Sequence, residues 1–97
     1  MTGHPEAVDF SARVLVPETV LMQELEGEAV LLHLEAGEYF GLDLIGTRMW
    51  QLLASSSTIQ SAYDQLLEEY EVDADRLRMD LERMVAELSE KRLIEIV

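Results

Sequence analysis

The side chains able to do chemistry are few in this 97-residue chain, and they are scattered. His4 and His33 lie far apart, and neither has a second ligand at metal spacing, so no metal site is expected. Glu68, Glu69 and Glu71 form a carboxylate cluster. Paired carboxylates become an acid–base couple only in a pocket that separates their pKa values, and this run reads instead as the solvated end of a helix. Ser55, Ser56 and Ser57 have no positioned base, and no Gly-rich phosphate loop is present. Zero cysteines exclude a disulfide framework, thiolate zinc sites, an iron–sulfur cluster held by the chain's own thiolates, and a thiol nucleophile. Turnover and a bound cofactor are therefore not expected. The remaining pattern is ionic: Arg76, Asp80, Arg83 and Glu87 recur at spacings of four, three and four, one stripe of a helix. Such a stripe is either a solvated face, with charge pairs worth about 0.2 to 0.5 kcal/mol each, or a groove wall able to select a peptide, with Met84 at its apolar border.

The elements that would position this stripe follow from periodicity. Leu77, Leu81, Met84, Val85 and Leu88 form a core stripe beside the ionic one, which predicts a helix over about 74 to 92, capped by Asp73. Upstream, Ile59, Ala62, Leu66, Leu67 and Tyr70 mark a second helix that Ser57 or Thr58 can cap. A first helix starts after Asp43, with Ile45, Met49, Leu52 and Leu53 as its apolar stripe and Trp50 beside it as a core anchor. Gly46 costs about 1 kcal/mol against Ala inside a helix, so it is read as permitting close approach of another backbone.

Before Asp43 the period is two. Val20 to Leu25, Ala29 to Leu34 and Glu38 to Leu42 read as a three-stranded antiparallel meander with turns at Gly27-Glu28 and Glu35-Ala36-Gly37. Val30, Leu32 and Leu34 share one face of the second strand, and His33 is expected to alternate outward. In the third strand Phe40 and Leu42 point one way and Tyr39 the other. Val14 to Val16 is short and ends at Pro17, as at an edge. Residues 1 to 12 read as a flexible tail and 13 to 97 as one domain, with Leu93 to Val97 either a short closing strand or a packed tail. The expected class is α+β, a three-stranded antiparallel sheet followed by three helices on one face, winged helix-turn-helix-like. If the meander keeps sequence order, Glu38 to Leu42 is an edge: a liability guarded by Glu38, or a docking site for an extended peptide.

Composition narrows the partners. The formal net charge is −13, from 20 acidic and 7 basic residues, which repels phosphate backbones and favours basic partners. A winged-helix DNA-binding regulator is the rival suggested by the architecture. Its recognition helix needs unopposed cations, whereas Arg76, Arg78 and Arg83 are interleaved with Asp75, Asp80, Glu82 and Glu87. A self-associating assembly module that pairs the same edge is a third reading. No apolar run reaches membrane-spanning length and no signal peptide is indicated, so a cytoplasmic protein with neither nucleic-acid nor membrane partner is expected.

The segment from Ala29 to Leu53 resembles the central signature of the PqqD-like family, the peptide-binding modules also called RiPP recognition elements. The resemblance lies in an apolar strand, the Gly37 turn, Tyr39-Phe40-Gly41-Leu42, the Asp43 cap, Gly46, Trp50, Leu53 and Asp80, and it extends over about Val20 to Ile94. Asp43 stands where family members often have Asn, a change that preserves capping. The resemblance implies a non-catalytic module in peptide natural-product or cofactor biosynthesis. Such a module binds the leader segment of a ribosomally made precursor peptide by strand addition to the third strand of the meander. It presents that peptide to a separate tailoring enzyme, such as a leader protease or a radical enzyme. By carry-over, Glu38, Tyr39, Phe40, Gly41 and Leu42 would supply the pairing edge, and Arg76, Asp80, Arg83, Met84 and Glu87 the wall on the third helix. Apolar leader side chains would enter a groove bordered by Tyr39 and that helix, and the negative charge would favour a leader with Lys or Arg.

Overall fold

The computed structural model describes residues 8–97, and His4 with the rest of residues 1 to 7 lies outside them. A short ribbon pairs β1 (Val14–Leu15) with β5 (Glu95–Ile96), closed by reciprocal Arg13 and Val97 backbone hydrogen bonds of 3.0 and 2.9 Å. Between them lie the meander β2 (Val20–Leu25), β3 (Glu28–His33) and β4 (Glu38–Leu42), then the helices α1 (Leu44–Ser55), α2 (Ile59–Glu69) and α3 (Ala74–Glu90). The sheet order is β2-β3-β4, antiparallel throughout, so the expected α+β architecture is the observed one.

The β2–β3 turn falls one residue earlier than expected. Leu25 pairs with Glu28, and Glu26 and Gly27 between them both take positive φ, 56° and 86°. That is the two-residue hairpin turn whose twist matches the strands. A side chain at Gly27 would also meet the Leu44 Cδ2 methyl at 2.7 Å.

Each helix starts at a side-chain cap that satisfies an otherwise orphaned amide. Asp43 accepts from the Gly46 amide, Thr58 from Ser61 and Asp73 from Arg76. Gly46 has a different role from the one expected. A Cβ there would sit 3.2 Å from the capping Asp43 Oδ1 and 3.4 Å from the Leu42 Cδ2, so the glycine makes room for its own cap rather than for another backbone.

The helices cover one face of the sheet. Met49, Trp50 and Leu53 from α1 join Ala29, Leu31 and Leu42 from the strands in a core completed by Leu66 of α2 and by Leu81, Val85 and Leu88 of α3. His33 belongs to this covered face and is 6% exposed, contrary to the expectation that it alternates outward. The reason is that β3 is apolar on both sides. Alternation groups Ala29, Leu31 and His33 together without revealing which face the helices choose. The imidazole accepts the Ala36 amide at Nδ1, at 3.2 Å, which tightens the β3–β4 turn. Ile45, expected on the α1 core stripe, is instead half exposed.

The expected tail also differs within residues 8 to 12. Phe10 is buried, edge-on to Tyr63 with ring centroids 5.6 Å apart, and the Arg78 guanidinium stacks 4.0 Å from its centroid. The Phe10 and Ala12 carbonyls accept the Gln60 and Ile59 amides at 2.8 and 2.9 Å. The start of α2 offers unpaired donors, and this segment satisfies them while filling the gap beside Tyr63.

Two polar ties hold α1 in place. Inside, Thr47 Oγ1 accepts the Ala29 amide at 2.9 Å and lies 3.4 Å from the Leu42 carbonyl, linking α1 to β3 and β4. Outside, the Arg48 guanidinium grips both Glu69 carboxylate oxygens at 2.8 and 2.6 Å, joining α1 to α2. These bonds, helped by Gln65, hold the Glu69 carboxyl down to about 2.

Replacing Thr47 by Val leaves the buried Ala29 N–H without a partner. Denaturant unfolding should show a loss of about 1 to 3 kcal/mol, while Thr47→Ser retains most of the stability. A carbon-detected NMR titration should find Glu69 titrating near 2 and returning toward its ordinary 4.5 in Arg48→Gln. Because the folded value is depressed, the pair stabilises the fold above the ordinary carboxylate range. That contribution fades as pH falls from about 4.5 through about 2.

Candidate functional site

Among the described residues, β4 has a neighbour on one side only. Which of its backbone groups face the open side follows from the bonds of β3. The Leu34 amide donates to Thr19 at 2.8 Å, toward β2, whereas the His33 carbonyl accepts from Gly37 at 2.9 Å and the Ala29 amide reaches Thr47 beside Leu42, both toward β4. Even-numbered residues of β3 therefore bond β2 and odd-numbered ones bond β4. In an antiparallel ladder the hydrogen-bonded pairs alternate with non-bonded ones. With Leu31 opposite Phe40 and His33 opposite Glu38, those two β4 residues spend their amides and carbonyls on β3. The N–H and C=O groups of Tyr39 and Gly41 consequently point out of the sheet edge.

Gly41 leaves that edge unobstructed. A Cβ at this position would have no atom of the described residues within 4 Å, and its φ is not positive, so neither their packing nor the backbone geometry demands glycine here. A bare backbone lets a second strand approach closely.

Helix α3 approaches β4 at its C-terminal end and packs on α1 toward its N-terminal end. At its C-terminal end the Lys91 ammonium lies 5.9 Å from the centroid of the half-buried Phe40 ring. Toward its N-terminal half, Arg76, Leu77 and Asp80 share a hollow of about 80 Å³ with Ile45 and Met49 of α1. The hollow is predominantly apolar and is closed on its other side by Leu66, Tyr70 and Val72. Asp80 sits between two guanidinium groups, Arg76 and Arg83, each 3.8 Å away. These pairs are long and solvated, so the charges remain able to exchange partners at little cost.

The structure thus places Arg76, Asp80 and Arg83 together on α3 and Phe40 beside that helix's C-terminal end, and it separates two other expected residues, Met84 and Tyr39, from that wall. Met84 is 8% exposed and is core, not border. Tyr39, 75% exposed, projects from the face of the sheet opposite the helices, so it cannot border a groove with α3. Glu87 is exposed on α3, four residues beyond Arg83 on the same stripe. Residues absent from the expected wall take their place: Lys91 over Phe40, and Ile45 with Met49 in the hollow. The four-residue spacing of Ile45 to Met49 suits the core and a groove lining equally, so it does not distinguish the two. Lys91, the one lysine of the chain, carries no local signal that it lies over a ring fifty-one positions earlier. Among the described residues there is no cluster of three metal-ligating side chains, and no helix is long and apolar enough to cross a membrane.

Comparison with known proteins matches this architecture. No curated protein matches the sequence. Among solved structures, the one described as TbiB1 in complex with the TbiA(beta) leader peptide is 36% identical. The match covers 84% of this chain and 94% of that one, with a TM-score of 0.77. A family model, that of coenzyme PQQ synthesis protein D (PqqD), matches residues 28–94, the span that holds β3, β4, all three helices and the α3 flank. The chain therefore belongs to the PqqD family.

Proposed function

We propose that this protein is a non-catalytic recognition module that binds the leader segment of a ribosomally made precursor peptide. The peptide adds as a strand to the open edge of β4. The observation that carries this reading is the pair of outward backbone positions, Tyr39 and Gly41, flanking Phe40, whose ring lies near Lys91 at the end of α3. The similar structure described with a leader peptide supports the class of ligand. The bound peptide is presented to a separate modifying enzyme, such as a leader protease or a radical enzyme. The gain lies in local concentration rather than in bond chemistry.

Energetics assign the parts. The free N–H and C=O groups of Tyr39 and Gly41 contribute about 0.5 to 1.5 kcal/mol net per hydrogen bond. Micromolar affinity requires about 8 kcal/mol net. The edge therefore sets direction and register, and apolar leader side chains supply most of the affinity by covering Phe40 and entering the hollow beside Ile45 and Met49. Arg76, Asp80, Arg83 and Lys91 then discriminate among leaders by charge. The net charge of −13 favours leaders that bring Lys or Arg, and it opposes the approach of DNA to the same helix.

Calorimetry with the leader peptide encoded beside this gene, against a DNA duplex as control, tests the proposal. Gly41→Pro removes an outward amide without breaking a ladder bond, so the variant should fold and bind the leader about tenfold or more weakly. Phe40→Pro removes an inward amide and should lose much of its thermal stability. A folded Gly41→Pro variant with undiminished affinity would contradict strand addition. Concentration-dependent sedimentation without peptide would favour self-pairing of the edge, and saturable DNA binding would favour a regulator.

A further inference from the structure

Among the described residues, nothing covers the second face of the sheet. Its centre is a shallow trough of about 490 Å³ lined by Leu21, Gln23, Val30, Leu32 and Tyr39, which carries no residue charged at neutral pH. The register explains the cluster. Leu21 stands opposite Leu32 and Leu32 opposite Tyr39, while Gln23 faces Val30 and Val30 faces Gly41, so two cross-strand rows pack side by side on the outer surface. Leu21 and Val30 remain 49% and 45% exposed. In a chain of net charge −13 an uncharged apolar surface spanning all three strands stands out from the rest of the molecule.

The surroundings of the trough have one sign. From Pro17 to Thr47 the chain contains no Lys or Arg, and Glu18, Glu26 and Glu28 occupy the turn and strand ends that bound this face. Most of the chain's cations lie on α3 and just beyond it, at Arg76, Arg78, Arg83, Lys91 and Arg92. An apolar centre inside a charged rim is the anatomy of a protein–protein contact. The rim also selects its occupant. A second copy would bring the same glutamates against these, and like charges across an interface are costly. A partner with an apolar patch framed by Lys and Arg matches both zones.

We propose that this outer face of β2, β3 and β4 docks the modifying enzyme through an apolar surface ringed by basic side chains. The proposal rests on the peptide-recognition reading above and adds a second interface to it. The two surfaces meet at β4: the Tyr39 side chain belongs to the outer face, and the Tyr39 backbone belongs to the peptide edge. An enzyme seated on the outer face therefore stands beside the strand where the leader is held. Peptide and enzyme occupy different surfaces of one three-stranded sheet, so the module holds both at once.

The test uses the full chain, the leader peptide and the purified modifying enzyme encoded beside its gene. Leu21→Glu places a charge in the trough at a half-exposed position, and Leu21→Ser removes the apolar contact without adding charge; thermal melts confirm that each variant is folded. Enzyme affinity should fall by about tenfold or more in Leu21→Glu, while leader affinity stays within about twofold. Wild-type enzyme binding should also weaken as salt rises from about 50 to about 500 mM. Unchanged enzyme affinity in both folded variants, or no enzyme binding by a wild-type protein that binds its leader, would overturn the docking surface and leave peptide recognition intact. A wild-type dimer abolished by these substitutions would assign the face to a second copy and overturn the proposal as well. Absence of leader binding by the wild type is a separate failure, that of the recognition reading itself.

Discussion

The packing of α1 against one face of a three-stranded sheet is the interaction on which the other features depend. Met49, Trp50 and Leu53 bury themselves against Ala29, Leu31 and Leu42, and Thr47 ties the helix to β3 and β4 from within. Because α1 follows β4 after a single capping residue, Asp43, this packing also fixes where the last strand ends. No later strand continues the sheet beyond β4, since the chain turns at once into helices and its last strand pairs with β1 instead. The open edge and the bare face both result from spending one helical layer on one side of the sheet.

That arrangement separates two kinds of surface by backbone direction alone. Along β4 the amides of Glu38 and Phe40 point into the ladder, and those of Tyr39 and Gly41 point away from it. Side chains divide perpendicular to this: Phe40 turns toward the helices and Tyr39 away from them. An edge offers hydrogen bonds that fix register, and an apolar face offers area without direction. Neither suffices for a specific assembly, and the fold places both within one residue of each other at Tyr39.

Much of the fold was legible because it is encoded locally. The caps at Asp43, Thr58 and Asp73, the α3 core stripe and the order of the meander all follow from side-chain chemistry and periodicity within a few residues. The face of β3 was not legible in that way. A strand apolar on both sides tells which residues travel together, as Ala29, Leu31 and His33 do, but the choice of covered face depends on where α1 lands. The same limit explains Met84 and Ile45, whose helical spacing suits core and groove equally. Phe10 and Lys91 were hidden for another reason, since each acts through an aromatic contact far away in sequence, with Tyr63 and Phe40.

The central claim is that β4 receives a peptide strand through the outward backbone groups of Tyr39 and Gly41. Residue-resolved amide hydrogen exchange, recorded with and without saturating leader peptide, tests it most directly. The account predicts that the Tyr39 and Gly41 amides exchange freely in the unbound protein and become protected on binding, while Phe40, already bonded to β3, changes little. Leader binding that leaves Tyr39 and Gly41 exchanging at their free rates would contradict it.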